Sequence, residues 1–203
     1  MTILFGFTGT VGAEILSPPT HLPFAKDVII DKYAHGNPLS MFTYNGKWEV
    51  NAMGKKLTLV GVSDKAHAYL LSNDRLSNKP KSFKLDFTVS DTTKEYGFIY
   101  GDIGVLLVNN QVVLARFDSN ASKLKASSAN SKTIVQVTKG KSNTLDINTG
   151  YDPTGGPNQA CVIYINGVGL QFDCPNTDSR FGVYLGPRNS IAISNIRWGI
   201  GSK

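Results

Sequence analysis

The chain has 203 residues, 41% apolar and 18% charged, with 20 glycines and 9 prolines. That is globular composition with many turns, and it excludes a disordered chain. Two cysteines are too few for a disulfide framework, so folding must rest on a hydrophobic core. The net charge of +6 comes from sixteen lysines and five arginines against fifteen acids; basicity carried by lysine, without an arginine cluster, argues against specific nucleic-acid reading.

Ile3 to Phe7 reads as a strand followed by a glycine-rich turn. The apolar start lacks a preceding positive charge and contains glycines, which makes it a poor signal peptide. No apolar stretch reaches about 18 residues, which excludes a helical membrane span. Ser17 to Pro38 is irregular and rich in proline and histidine. Asn45-Gly46 marks a turn, and Lys55 to Val62 a strand. Asp64 to Leu71 is the least strand-like segment, where a helical turn is admissible.

From Ser82 to Val89 every odd position is apolar and every even one polar, as in a strand with one wet face. Strands follow at Tyr96 to Val108 (broken near Gly101-Asp102), Gln111 to Phe117, Thr133 to Thr138, Asn143 to Asn148, Arg180 to Leu185 and Ser190 to Trp198. Turn signals at Asn109-Asn110, Lys139-Gly140, Asn166-Gly167 and Gly186-Pro187 separate them. Two further irregular loops lie at Ser119 to Ser131 and Gly150 to Asn158. No amphipathic helix is found. Ten to fourteen short strands with hairpin turns predict one antiparallel all-β sandwich over residues 1–203.

Both cysteines lie in CVIYINGVGLQFDC, residues 161 to 174. A two-residue type I′ turn at Asn166-Gly167 sets Ile165 opposite Val168 and Cys161 opposite Phe172. Parity then puts Cys161, Ile163, Ile165, Val168, Leu170, Phe172 and Cys174 on the apolar face. Val162, Tyr164, Gly169, Gln171 and Asp173 fall on the other, wet face. The thiols are diagonal neighbours at about 7–8 Å, slightly beyond the roughly 7 Å limit for a disulfide, so two reduced, buried thiols are expected. A four-residue turn would instead allow a bridge.

LFGFTGTVGAEI (4–15), GKWEV (46–50), FKLDFTVS, VIYINGVGL and ISNIRW (193–198) resemble, in order, segments of concanavalin A-like, laminin-G-like sandwich modules of the kind found in bacterial glycan-active and bacteriophage virion and tail proteins. The resemblance implies a jelly roll whose first and last strands pair. Val11 stands where many relatives carry Asp in the opening turn, which weakens any inference of calcium there.

Several such relatives are glycanases or lyases, and a retaining glycanase needs two carboxylates about 5–5.5 Å apart. The three glutamates (Glu14, Glu49, Glu95) lie far apart, and no E-x-D-x-E, R-x-E-x-R or Q-I-H pattern occurs. His21, His35 and His67 stand alone in the chain, so no metal or nucleophile motif is visible. No catalytic residue, cofactor or metal ligand is assigned; a structural calcium held by loop aspartates needs no local motif and stays open.

Sugars need an aromatic platform with amides and carboxylates nearby. The sequence offers Tyr44, Trp48, Tyr96, Tyr100, Tyr151, Tyr164, Tyr184 and Trp198, of which the tryptophans fit a core better. One candidate glycan rim gathers Tyr151, Asp152, Tyr164, Gln171, Asp173, Asn176, Asp178 and Arg180. A run without acids carries Lys123, Lys125, Lys132, Lys139 and Lys141, read either as a lysine-protected edge or as a basic patch for acidic partners. The expectation is a non-catalytic, lectin-like recognition or assembly module, on a virion (tail, adhesin or capsid decoration) or extracellular, contacting glycan or neighbouring subunits. The alternative is a polysaccharide-degrading enzyme or its carbohydrate-binding module. A homo-oligomer stays open.

Overall fold

The structure is a computed structural model that describes residues 36–53, 56–73, 81–101, 103–118, 120–121, 123–126, 133–151, 160–173 and 180–200. Among them, fifteen strands, numbered in chain order, form two antiparallel sheets, with one short 3-10 turn at Pro38–Met41. The eight-stranded sheet runs β1 (Phe42–Asn45), β4 (Ala68–Ser72), β14 (Phe181–Leu185), β6 (Glu95–Tyr100), β7 (Ile103–Val108), β8 (Gln111–Asp118) and β10 (Thr133–Ile134), with β9 (Lys123–Ala126) also on β8. The seven-stranded sheet runs β13 (Val168–Asp173), β12 (Ala160–Ile165), β11 (Asn143–Tyr151), β5 (Lys81–Val89), β15 (Ser190–Ile200), β3 (Lys56–Val62) and β2 (Lys47–Met53).

The two inner faces meet in one apolar core. Alternation in β5 sends Phe83, Leu85, Phe87 and Val89 inward, where they meet Phe98, Val105, Leu107 and Phe181 from the other sheet. Aromatic rings knit the layers: Phe83 and Phe181 lie 4.1 Å apart, and Phe87 meets Phe98 edge-on at 5.0 Å. Such pairs add to the stabilisation from area burial alone. Trp48 is buried in this core, as the sequence suggested; its indole N–H donates to the Asn45 carbonyl at 2.9 Å.

The eight-stranded sheet is apolar on its outer face too. Leu71, Ile99, Leu106, Ala115 and Tyr184 are buried there with Leu124 of β9. Leu124 lies over Gly97 and Gly104: a Cβ at either position would come within 2.6–2.7 Å of its methyls. The two glycines thus leave the groove that seats β9.

The predicted hairpin is present. Asn166 and Gly167 both have positive φ (50° and 83°), and Ile165 pairs with Val168 and Cys161 with Phe172. Cys174 lies outside the described residues, as does the strand expected at Ile3 to Phe7, and with it the pairing of first and last strands. Within the described residues β15 pairs with β5 and β3. Three expectations change. Ser119 to Ser131, expected as an irregular loop, contains strand β9 at Lys123–Ala126, paired to β8. Asp64 to Leu71 is no helical turn: after bends at 64–66 it becomes strand β4, paired to β1 on one side and β14 on the other, because tertiary pairing outweighs a weak local signal. Thr133 to Thr138 is strand only at Thr133–Ile134, although Val135 and Val137 still reach the core.

Candidate functional site

Of the predicted rim, Asp152, Asn176 and Asp178 lie outside the described residues. Tyr151 and Asp173 both register against Ala160, one from each side, and Gln171 registers against Val162. Pairing therefore does bring Tyr151 and Asp173 into one cross-strand row. The supposed wet face is a correction: Tyr164 is only 5% exposed and Val162 is fully buried. Parity separates the two faces of a strand but does not say what covers each. Arg180 sits just before β14 of the other sheet. Its carbonyl accepts from Gly101 N–H at 2.7 Å, and its buried Nε has no partner among the described residues.

Four of the five lysines are described, and they lie on two elements. Lys123 and Lys125 lie on β9, where Lys125 pairs with Asp118 at 2.8 Å. Lys139 and Lys141 belong to a separate turn that is tied to the end of β5, with Gly140 N–H on Val89 O and Lys139 Nζ on Asp91 O. Lys132 is outside the described residues. Among those residues, no three His, Cys, Asp or Glu side chains come together as a metal site.

A different site emerges where the chain crosses between sheets. Three crossings lie side by side: β1 to β2 at Asn45-Gly46, β3 to β4 at Ser63 to His67, and β14 to β15 at Gly186 to Asn189. Together they line an open cleft of about 880 Å³. Its walls carry Lys47, Lys65 and Arg188 against the single carboxylate of Asp64, with Val62 and Ala66 as apolar surface. Val62 is 37% exposed, and Tyr44, next in the chain to Asn45 of the cleft, is 44% exposed.

Buried polar groups fix the cleft's shape. Ser63 and Asn189 are nearly inaccessible. Ser63 N–H donates to Asn189 O at 2.9 Å, Asn189 N–H donates to Ser63 Oγ at 3.0 Å, and Ser63 Oγ–H donates to Gly186 O. Asn189 Oδ1 accepts Lys94 N–H at 2.7 Å. This network clamps the 186–189 turn onto the β3–β4 loop. Arg188, within that turn, is held at φ 60°, and its N–H donates to Asp64 O at 2.7 Å. A left-handed non-glycine residue persists only where its surroundings over-determine it.

His67, which lines the cleft, forms a chain with Tyr184 and Glu95, which do not. Tyr184 Oη lies 2.5 Å from His67 Nδ1 and 2.9 Å from Glu95 Oε1, and the two rings stack at 5.5 Å. A phenol has one proton. Donated to the Glu95 carboxylate, it leaves Tyr184 Oη to accept from His67 Nδ1–H. The neutral imidazole is thereby fixed with its proton on Nδ1 and its lone pair on Nε2. Burial, with the Lys123 ammonium also contributing, pushes the His67 pKa below its ordinary 6.5, against the opposing pull of Glu95. Burial, with the bonded Glu95 carboxylate, drives the Tyr184 phenol far above its usual range. Sequence reading missed this group because its members lie at 67, 95 and 184. The one local hint was the Gly-Pro-Arg-Asn turn itself.

No family model and no curated protein matches the chain. Solved structures do. The carbohydrate-binding module CBM66 from Bacillus subtilis is 16% identical at TM-score 0.51, over 75% of this chain and 91% of that one. The carbohydrate recognition domain of Emp46p in its potassium-bound form is 14% identical at TM-score 0.58, over 82% and 91%. The alginate lyase vAL-1 from Chlorella virus is 12% identical at TM-score 0.53, over 88% and 100%. At such identities the likeness shows the fold alone, a concanavalin A-like sandwich.

Proposed function

We propose that this chain is a non-catalytic, lectin-like module that recognises glycan, and that it does so on a virion surface as a tail, adhesin or capsid-decorating protein. The observation that carries the glycan reading is the sandwich shared with a carbohydrate-binding module and a carbohydrate recognition domain. The cleft supports it with polar and apolar walls on a clamped backbone, the mixture a sugar's hydroxyls and C–H face require. The virion placement rests on the resemblance of the opening turn and strands to phage modules. Purified protein should bind a polysaccharide panel without releasing reducing sugar. Release abolished by a single Asp or Glu substitution would refute the non-catalytic reading, and absence of the chain from purified particles would refute the virion placement.

A second reading, a polysaccharide lyase, has its own observation. His67 offers an unprotonated Nε2 beside a tyrosine and a group of cations, a combination suited to proton abstraction next to a carboxylate. The same sandwich also serves the alginate lyase and an endo-β-1,4-glucuronan lyase from Trichoderma reesei. Growth of ultraviolet absorbance from unsaturated sugar on incubation with polyuronates would decide for it.

A further inference from the structure

We propose that the end cleft is the subsite for a carboxylate-bearing sugar, with Arg188 and Lys65 taking the carboxylate and Val62 receiving the apolar face of the ring; this rests on the glycan reading for the sugar, though not for the anion. Charge is the first ground. Of the three cations lining the cleft, Lys47 is committed to Glu49 at 3.0 Å, whereas among the described residues Lys65 and Arg188 are in no ion pair. Lys123 adds positive field at His67. Asp64 is the single acid of the lining, so a singly charged anion suits the site better than a dianion.

Preorganisation is the second ground. The planar guanidinium matches the two coplanar oxygens of a carboxylate, and the backbone that bears it is locked by Asp64 O and by the Ser63–Asn189 network beneath it. A cation held on a fixed turn loses little freedom on binding. The neutral groups are the third ground. Asn45 Oδ1 is occupied by Tyr69 N–H at 2.7 Å, which leaves its NH₂ as donor, while His67 Nε2 stands as acceptor. One donor and one acceptor beside an anion clamp and an exposed valine describe a uronic or sialic acid better than a neutral sugar or a bare anion.

The test is titration calorimetry with trigalacturonate and sialyllactose, and with cellotriose as the neutral control, on the full chain and on Arg188→Gly, Lys65→Gln and, as control, Lys141→Gln. Arg188→Gly suits the left-handed φ and so keeps the fold. Acidic sugar should bind roughly tenfold more tightly than cellotriose, and each cleft variant should lose about tenfold, with Lys141→Gln unchanged. Acidic-sugar binding undiminished in Arg188→Gly and Lys65→Gln, or equal affinity for cellotriose, overturns the cleft assignment while the glycan reading stands. If the wild type binds no sugar, the glycan reading fails and nuclear magnetic resonance with acetate decides the anion site. A shift at His67 and Lys65 that is lost in Arg188→Gly upholds it; no shift, or a shift that persists in Arg188→Gly, overturns it.

Discussion

Removing one oxygen from Tyr184 isolates the polar chain behind the cleft. In Tyr184→Phe the fully buried ring keeps its packing and its stack on His67 at 5.5 Å, so no cavity is expected. What goes is the 2.9 Å bond to the Glu95 carboxylate and the 2.5 Å bond to His67 Nδ1. A bond to a charged acceptor is worth about 1.5–3 kcal/mol and a neutral one about 0.5–1.5 kcal/mol. Glu95 and His67 are both half-exposed, so water re-satisfies part of each. The net loss is then about 1–3 kcal/mol. With a urea slope of about 3 kcal/mol/M for a chain of this size, the midpoint should fall by about 0.3–1 M. The His67 ring should change as well: once Nδ1–H loses its acceptor, the neutral tautomer should move toward Nε2–H, visible in its ¹⁵N shifts. An unchanged urea midpoint together with an unchanged tautomer would refute the Glu95–Tyr184–His67 assignment.

Three more outcomes follow from the same geometry. Because His67 is held below 6.5 in the fold, the unfolded chain binds the extra proton first. Stability from this group is therefore present above pH 6.5 and lost as pH falls through the lowered folded value; urea midpoints from pH 8 to 5 should show a decline that His67→Gln removes. Asn166→Ala should cost about 2–3 kcal/mol. It places alanine at φ 50° and loses side-chain bonds with Gln136 O at 2.7 Å, Asn143 Oδ1 at 2.9 Å and Thr144 N–H at 2.8 Å. Asn166→Gly should cost only the bonds, and equal midpoints for the two variants would show that φ is irrelevant there. Gly104→Ala should cost about 1–3 kcal/mol by overpacking, since its Cβ would meet both Leu124 Cδ2 and Phe98 O at 2.7 Å. Hydrogen exchange should rise chiefly in β9, and protection unchanged there would show that Leu124 is not what holds that strand.

Much of the architecture was legible because it is written in short-range code. The alternation of β5 sorted its residues into core and surface, and Asn-Gly at 166–167 fixed a register that the hairpin follows residue by residue. Local code failed where the partner was distant. Strand β4 was unreadable because Tyr69 to Leu71 is apolar without alternation, and only pairing to β1 and β14 on both sides makes it a strand. Parity alone sets Tyr164 on a wet face, because it carries no information about what lies above the residue, which is buried.

The site divides in the same way. Composition and patterning determined a single type of architecture, an all-β sandwich, and argued against a linear catalytic motif, because both depend on residues a few positions apart. The cleft was decided only by tertiary structure. His67, Glu95 and Tyr184 meet because β6 pairs with β14 and β14 with β4. Arg188 and Lys65 line one cleft because a buried serine and asparagine 126 positions apart in sequence tie the 186–189 turn to the β3–β4 loop. Hydrogen bonds between such distant residues form only after loop closure, whose entropy is repaid by the core between the sheets. No window of sequence contains them.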